Sequence, residues 1–158
     1  MTKNKSYLFL ATWLIFLLAI SSIIGVVTNA GKDDWYETLA KSSLTPPGWV
    51  FGVVWPILYL MIGVVGWRIW QSTAPSRGAL IRLYIAQLFL NWGGSFAFFT
   101  FHQIALGYLW ITVLALVVAV LIARLWSSDR MAAWLLFPYL AWLLFASYLS
   151  GSIWYLNP

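Results

Sequence analysis

Five stretches of this sequence run for about twenty residues without a charged side chain, the length a helix needs to cross a bilayer's hydrocarbon core. They are Leu8 to Val27, Trp49 to Trp67, Leu83 to Phe101, Ile104 to Ala123 and Met131 to Pro158. Backbone in lipid must satisfy its own polar groups, which leaves helices and closed barrels. None of the five runs alternates apolar and polar residues with period two, so helices are expected. Hydrophobic residues make up 63% of the chain and charged residues 8%, against about 25% charged in a soluble domain. The expected fold is therefore an all-α membrane protein. It is a single five-transmembrane-helix bundle, with helices at about 7–28, 49–71, 79–101, 104–126 and 131–156 and a long first connecting loop, 29–48.

The connectors refine this picture. The first holds three of the four acids. Asp33 or Asp34 is placed to cap a short helix carrying Trp35, Tyr36 and Leu39. Thr45, Pro46 and Pro47 read as the start of the next helix, where proline is tolerated. Ser72 to Gly78 is polar and flexible, His102 and Gln103 make a tight turn, and Ser127 to Arg130 closes the last hairpin. Lys3, Lys5, Arg68, Arg77, Arg82, Arg124 and Arg130 fall on one side of the bundle, and Lys32 and Lys41 on the other. In a bacterial cell membrane that bias puts the amino terminus in the cytoplasm. The first run is longer than the 7–15 apolar residues of a cleaved signal peptide, so it is expected to remain as a span.

Composition also removes function classes. The net charge of +5 sits at span ends and points to a membrane surface rather than nucleic acid. There is no cysteine, which excludes disulfides, thiolate catalysis and cysteine-based metal sites. No ionisable group lies deep in a span, where proton relays and charged ion filters need one. His102 is the single histidine. It sits at an interfacial turn with no carboxylate near it in sequence, which favours a structural role over a haem ligand or general base. No metal site and no intrinsic cofactor is expected.

Three helical stripes remain. Trp55, Tyr59, Gly63 and Gly66 share a face of the second span. The glycines suit close helix packing, and a buried Trp55 indole wants a partner. Gln87, Asn91 and Ser95 recur every four residues on the third span and should face the bundle interior, for interhelical hydrogen bonds or for ligand contact. Pro138, Trp142, Ala146 and Ser150 repeat likewise on the fifth, as a packed seam or as a wall with space beside Trp142. Ala115, Ala119 and Ala123 on the fourth read as a helix–helix contact within or between subunits. The 12 tryptophans exceed what interfacial belts need, so some should line a cavity. Together these point to a mostly apolar, aromatic hollow suited to a flat hydrophobic ligand.

At these residues the chain resembles the tryptophan-rich sensory protein and peripheral benzodiazepine receptor family, also called the translocator protein family. The resemblance is carried by Trp35-Tyr36 with Leu39 and Lys41, by Pro46-Pro47-Gly48-Trp49-Val50-Phe51, and by Trp55 with Leu58-Tyr59. It continues in Gln87-Leu88, Asn91-Trp92 and Phe98-Phe99, then Pro138-Tyr139-Leu140-Ala141-Trp142, Phe145-Ala146, Leu149, Ile153-Trp154 and Leu156-Asn157.

It implies a five-helix bundle, usually a homodimer, with a pocket closed by the first connector, where Trp35, Tyr36, Pro46 and Pro47 form the lid. It implies porphyrin ligands such as protoporphyrin IX and haem. The ligand-binding positions are Phe51, Gly52, Val54, Trp55, Tyr59, Asn91, Trp142, Ala146 and Leu149. Trp55 and Trp142 are also the residues that light-dependent porphyrin breakdown would use as catalytic groups. A third reading is a membrane scaffold without a small ligand. Gly94, Leu44 and Ser150 replace a Trp, a Trp and an Asn of the family pattern, so one aromatic wall is absent unless Trp92 or Phe96 supplies it. No Lys or Arg follows Tyr148 or Tyr155 to complete the sterol consensus, and sterol binding is not expected. The dimer face is left between the alanine stripe and Gly93-Gly94.

Overall fold

The structure, a computed structural model, describes residues 3–30 and 33–157. It contains α1 (Lys3–Ala30), α2 (Asp33–Thr38), α3 (Gly48–Gln71), α4 (Arg77–Ser95), a π-helical segment (Phe96–Thr100), α5 (Ile104–Trp126) and α6 (Arg130–Leu156). Five long helices form the bundle, and the short helix expected in the first connector is α2. The side chains of Asp33 and Asp34, expected to cap it, lie outside the described residues, as do Lys32 and Pro158.

Four helices, spanning Asn4–Asn29, Gly48–Gln71, Ile104–Trp126 and Arg130–Leu156, are long and apolar enough to cross a membrane by themselves. The departure from five is α4. It has 19 residues, and Arg77, Arg82, Gln87 and Asn91 dilute its apolar content. It is sheltered by neighbours: α5, α3 and α1 all contact it. The expected single helix over 79–101 instead changes register at Phe96, and the wider π-helical turn carries it on for five residues.

The bundle is apolar inside and out, as lipid requires. Leu17, Ile62, Val65, Val118, Leu121, Ala132, Ala133 and Leu143 are fully buried, while Leu8, Ile15, Val26, Phe89, Leu116 and Leu144 are exposed to the bilayer. Burial away from water therefore does not hold these helices against one another; close packing and interhelical hydrogen bonds do. A side chain at Gly63 would meet Leu14 and Leu17 of α1, and one at Gly66 would meet the Tyr84 ring of α4. Both glycines of the second-span stripe thus serve helix packing. Trp67 Nε1 donates to the Ser6 carbonyl at 3.1 Å, fastening α1 near its start.

The two ends of the bundle are tied differently. At one end Arg68 Nε and Nη2 donate to the two carboxylate oxygens of Asp129, at 2.7 and 2.9 Å. This fork joins the end of α3 to the start of α6, where Asp129 also accepts from the Ala132 N–H as helix cap. Burial opposes ionisation of Asp129, but the hydrogen bonds from Arg68 and the backbone outweigh it and hold the carboxyl below its ordinary value. Exposed Trp70 and Trp126 sit at this end, beneath Arg77 and Arg130, as an interfacial belt would.

At the other end the first connector lies across the bundle. Trp35 stacks on His102 with ring centroids 4.2 Å apart, and Tyr36 packs against Phe98 and Phe99. Asn157 Nδ2 donates to the Ala40 carbonyl and Asn157 Oδ1 accepts from the Ala40 N–H, both at 3.0 Å. Ser42 Oγ and Tyr148 Oη are 3.1 Å apart. His102, in the left-handed region at φ 52°, turns the chain there and stacks against Trp35 of the connector.

Candidate functional site

Of the site residues expected on α3 and α6, the structure brings together Phe51, Val54 and Trp142 near the connector end of the bundle. Phe51 meets Trp142 edge-on, with centroids 5.4 Å apart, and Trp142 in turn contacts Phe145 at 5.8 Å. Gly52 is exposed, and a methyl group added there would meet nothing within 4 Å, because it faces outward from the bundle. Ala146 is half-buried and Leu149 buried, one and two turns beyond Trp142. Pro47 caps α3, Pro46 is half-buried beside it, and α3 begins at Gly48.

Below Phe51 and Trp142 the seam between α3 and α6 opens into a cleft of about 520 Å³. It is open along one side and not enclosed. On α3 its walls are Val54, Ile57, Leu58 and Met61, and on α6 they are Pro138, Ala141, Trp142 and Phe145. None carries a charge. The Trp142 indole N–H is buried and has no hydrogen-bond partner. Trp142 thus belongs both to an aromatic cluster with Phe51 and Phe145 and to the cleft.

Trp55 is placed differently. It packs half-buried against the core with its ring 5.9 Å from Tyr59, and it is not among the residues lining the cleft. Tyr59 and Asn91 turn inward. Tyr59 Oη donates to Asn91 Oδ1, Asn91 Nδ2 donates to Tyr139 Oη at 2.7 Å, and Tyr139 Oη donates to Gln87 Oε1 at 3.2 Å. This chain links α3, α4 and α6 through the core. The polar stripe of α4 therefore faces the interior, as expected, and Asn91 spends its amide on neighbouring helices. Tyr139 was not singled out as a site residue. A tyrosine in mid-span must find a partner for its hydroxyl, and that signal was available.

Gly94, where an aromatic wall was expected to be absent, is covered from elsewhere. The Trp110 ring of α5 lies where side chains at Gly93 and Gly94 would be, within 2.7 and 3.0 Å of the added carbons. Its Nε1 donates to the Leu90 carbonyl at 2.7 Å. Trp92 packs half-buried against the core and Phe96 is exposed. With Trp110 in place, Gly93-Gly94 is a contact within the chain. Ala115 and Ala119 instead line an open groove of about 700 Å³ between α5 and α6, and Ala123 is exposed.

The family model described as TspO/MBR matches residues 11–156. A tryptophan-rich protein TspO of Chlorobaculum tepidum is 33% identical over 159 residues, covering 98% of this chain and 99% of that protein. One from Archaeoglobus fulgidus is 33% identical over 144 residues, covering 91% and 94%. The human translocator protein is 33% identical over 123 residues, covering 76% of this chain and 73% of its own. With a match over nearly its whole length, this integral membrane chain belongs to the TspO/MBR family.

Proposed function

We propose that this membrane-embedded binding or sensor protein takes porphyrins of the protoporphyrin IX and haem class, without an intrinsic cofactor, against the Trp142 wall between α3 and α6. The observation that carries the reading is an uncharged cleft of about 520 Å³ beside an indole whose N–H is buried and unpartnered. A porphyrin supplies the flat apolar face that stacks on such a ring. In this reading Val54 lines the cleft with Trp142, and Phe51 extends it toward the connector from its contact with Trp142. Gly52, Ala146 and Leu149 are further ligand contacts, Trp55 and Tyr59 back the walls, and the Trp35–Tyr36 connector with Pro46 and Pro47 acts as the lid. The amino terminus faces the cytoplasm, following the seven basic residues on its side. For a homodimer, the open face at Ala115 and Ala119 is the remaining candidate, since Trp110 occupies the glycines of α4.

The test is a fluorescence-quenching titration of purified protein with protoporphyrin IX, haem and, as a negative control, a sterol. Trp142→Ala should weaken porphyrin binding about tenfold, the loss of one stacked ring worth ~1.4 kcal/mol, with helical content retained. Unchanged affinity in that variant would refute the assignment.

The oxidisable indole at the cleft supports a second reading, in which bound porphyrin under light and dioxygen is broken down beside Trp142. A Soret band that stays constant under illumination in air removes it.

A further inference from the structure

The lid end and the α3–α6 seam offer a ligand two different ways in, and they are closed to different degrees. From the water side, access requires lifting the first connector. That breaks both Asn157–Ala40 hydrogen bonds and the Ser42–Tyr148 contact, and it unstacks Trp35 from His102. From the bilayer side, the cleft already stands open, and its outer rim is apolar: Ile57 is 49% exposed and Met61 half-buried.

Both helices flanking that cleft carry a proline inside them, Pro56 in α3 and Pro138 in α6. Each proline lacks the N–H that would bond the carbonyl four residues back, those of Gly52 and Trp134. Each also falls within the stretch that walls the cleft. Helices bend where the ladder is interrupted in this way; Pro138 itself lines the cleft, while Pro56 interrupts α3 between the lining residues Val54 and Ile57 without lining the cleft itself. Trp142 stands half-buried in the wall of that cleft.

From this arrangement we infer that the planar apolar ligand enters sideways from the bilayer, between α3 and α6, with the helices yielding at Pro56 and Pro138 while the lid stays fastened. The ligand is one already dissolved in the membrane, because nothing charged lines the route. This inference rests on the binding reading above and adds the path by which the site is filled.

The chain has no cysteine, so paired substitutions report cleanly. Ile57→Cys with Ala141→Cys, bridged by a short reducible bis-thiosulfonate, ties the seam. Ala40→Cys with Asn157→Cys, bridged likewise, ties the lid. Each is reconstituted in phosphatidylcholine vesicles preloaded with protoporphyrin IX, and the rate of fluorescence quenching is followed before and after reduction.

The seam bridge should slow loading at least tenfold, with the rate restored on reduction, while the lid bridge changes it less than twofold. Loading of the seam-bridged protein at the unbridged rate overturns the sideways route. So does a lid bridge that slows loading more than the seam bridge. Absence of saturable quenching in the unbridged protein overturns the binding reading itself, a result separable from either.

Discussion

Adding one methyl group at each of three glycines on α3 should give three different results, and the structure says which. At Gly66 an added carbon would lie 2.8 Å from Tyr84 Cε1 and closer still to Cζ and Oη. Ordinary carbon contacts are ~3.5–4.0 Å, so the ring must retreat by about 1 Å. The ring is stiff and buried. Its hydroxyl donates to the Ile62 carbonyl at 3.0 Å and accepts from Trp13 Nε1 at 3.3 Å. Overpacking of this kind costs about 1–3 kcal/mol, and two interhelical bonds in a membrane protein are worth about 0.6 kcal/mol each. The gain in helix propensity from Gly to Ala returns about 1 kcal/mol. Gly66→Ala should therefore destabilise by about 1–3 kcal/mol. At Gly63 the first obstacle is Leu14 Cδ2 at 2.5 Å, the free end of a flexible side chain, so the clash and the propensity gain should nearly cancel. At Gly52 nothing lies within 4 Å, and the variant should be more stable by up to about 1 kcal/mol. Reversible unfolding in mixed detergent micelles, titrated with dodecyl sulfate, orders the three. A Gly66→Ala protein as stable as Gly52→Ala would refute the reasoning, because the same methyl would then have met the same surroundings.

Two further outcomes follow from the polar contacts. Tyr139→Phe leaves Asn91 Nδ2 and Gln87 Oε1 without their partner in a core position that is fully buried. It should cost about 1–3 kcal/mol in the same unfolding assay, and a loss below about 0.5 kcal/mol would show that the chain of bonds does not form. The Asp129 carboxyl is held below its ordinary 3.8 by its partners, so the pair with Arg68 contributes fully above that pH and is lost as the pH falls through the depressed value. Comparing wild type with Asp129→Asn between pH 7 and 2 should show a difference on the order of 0.5 kcal/mol, after solvent screening, that vanishes in acid; a difference constant with pH would contradict it.

The features that sequence exposed best were those set by one helix at a time. The charge-free runs located the long helices. Gly63 and Gly66 were legible as packing residues from their spacing. Which side chain fills each gap was not, because that depends on how far each neighbouring helix is rotated. The same limit applies to α4. Its polar stripe had to face inward, but the pairing of Asn91 with Tyr59 and Tyr139 is set by three helices at once. The change of register at Phe96 was also hidden. It occurs where Tyr36 of the connector, about sixty residues away in sequence, packs on Phe98 and Phe99, and where Phe98 presses on Gly107 across the turn into α5. Gly94 shows the effect most directly: the space left by its missing side chain is filled by Trp110 from the next helix.

The distribution of polar groups has a consequence for the kind of selectivity such a site can have. Asn91, the most polar of the expected ligand contacts, is already bonded on both sides of its amide, to Tyr59 and Tyr139. A ligand that took its hydrogen bond from Asn91 would have to break one that joins two helices. The groups that line the cleft are ring faces and aliphatic walls, while the Trp142 indole N–H, though unpartnered, is itself buried. A site built to hydrogen-bond its ligand rejects analogues that lack the polar group by several orders of magnitude, whereas an apolar pocket separates ligands by size and shape and only about 10–200-fold per methylene. Discrimination among flat ring systems should accordingly track their outline against Phe51, Trp142 and Phe145, and tolerate changes in their peripheral polar groups.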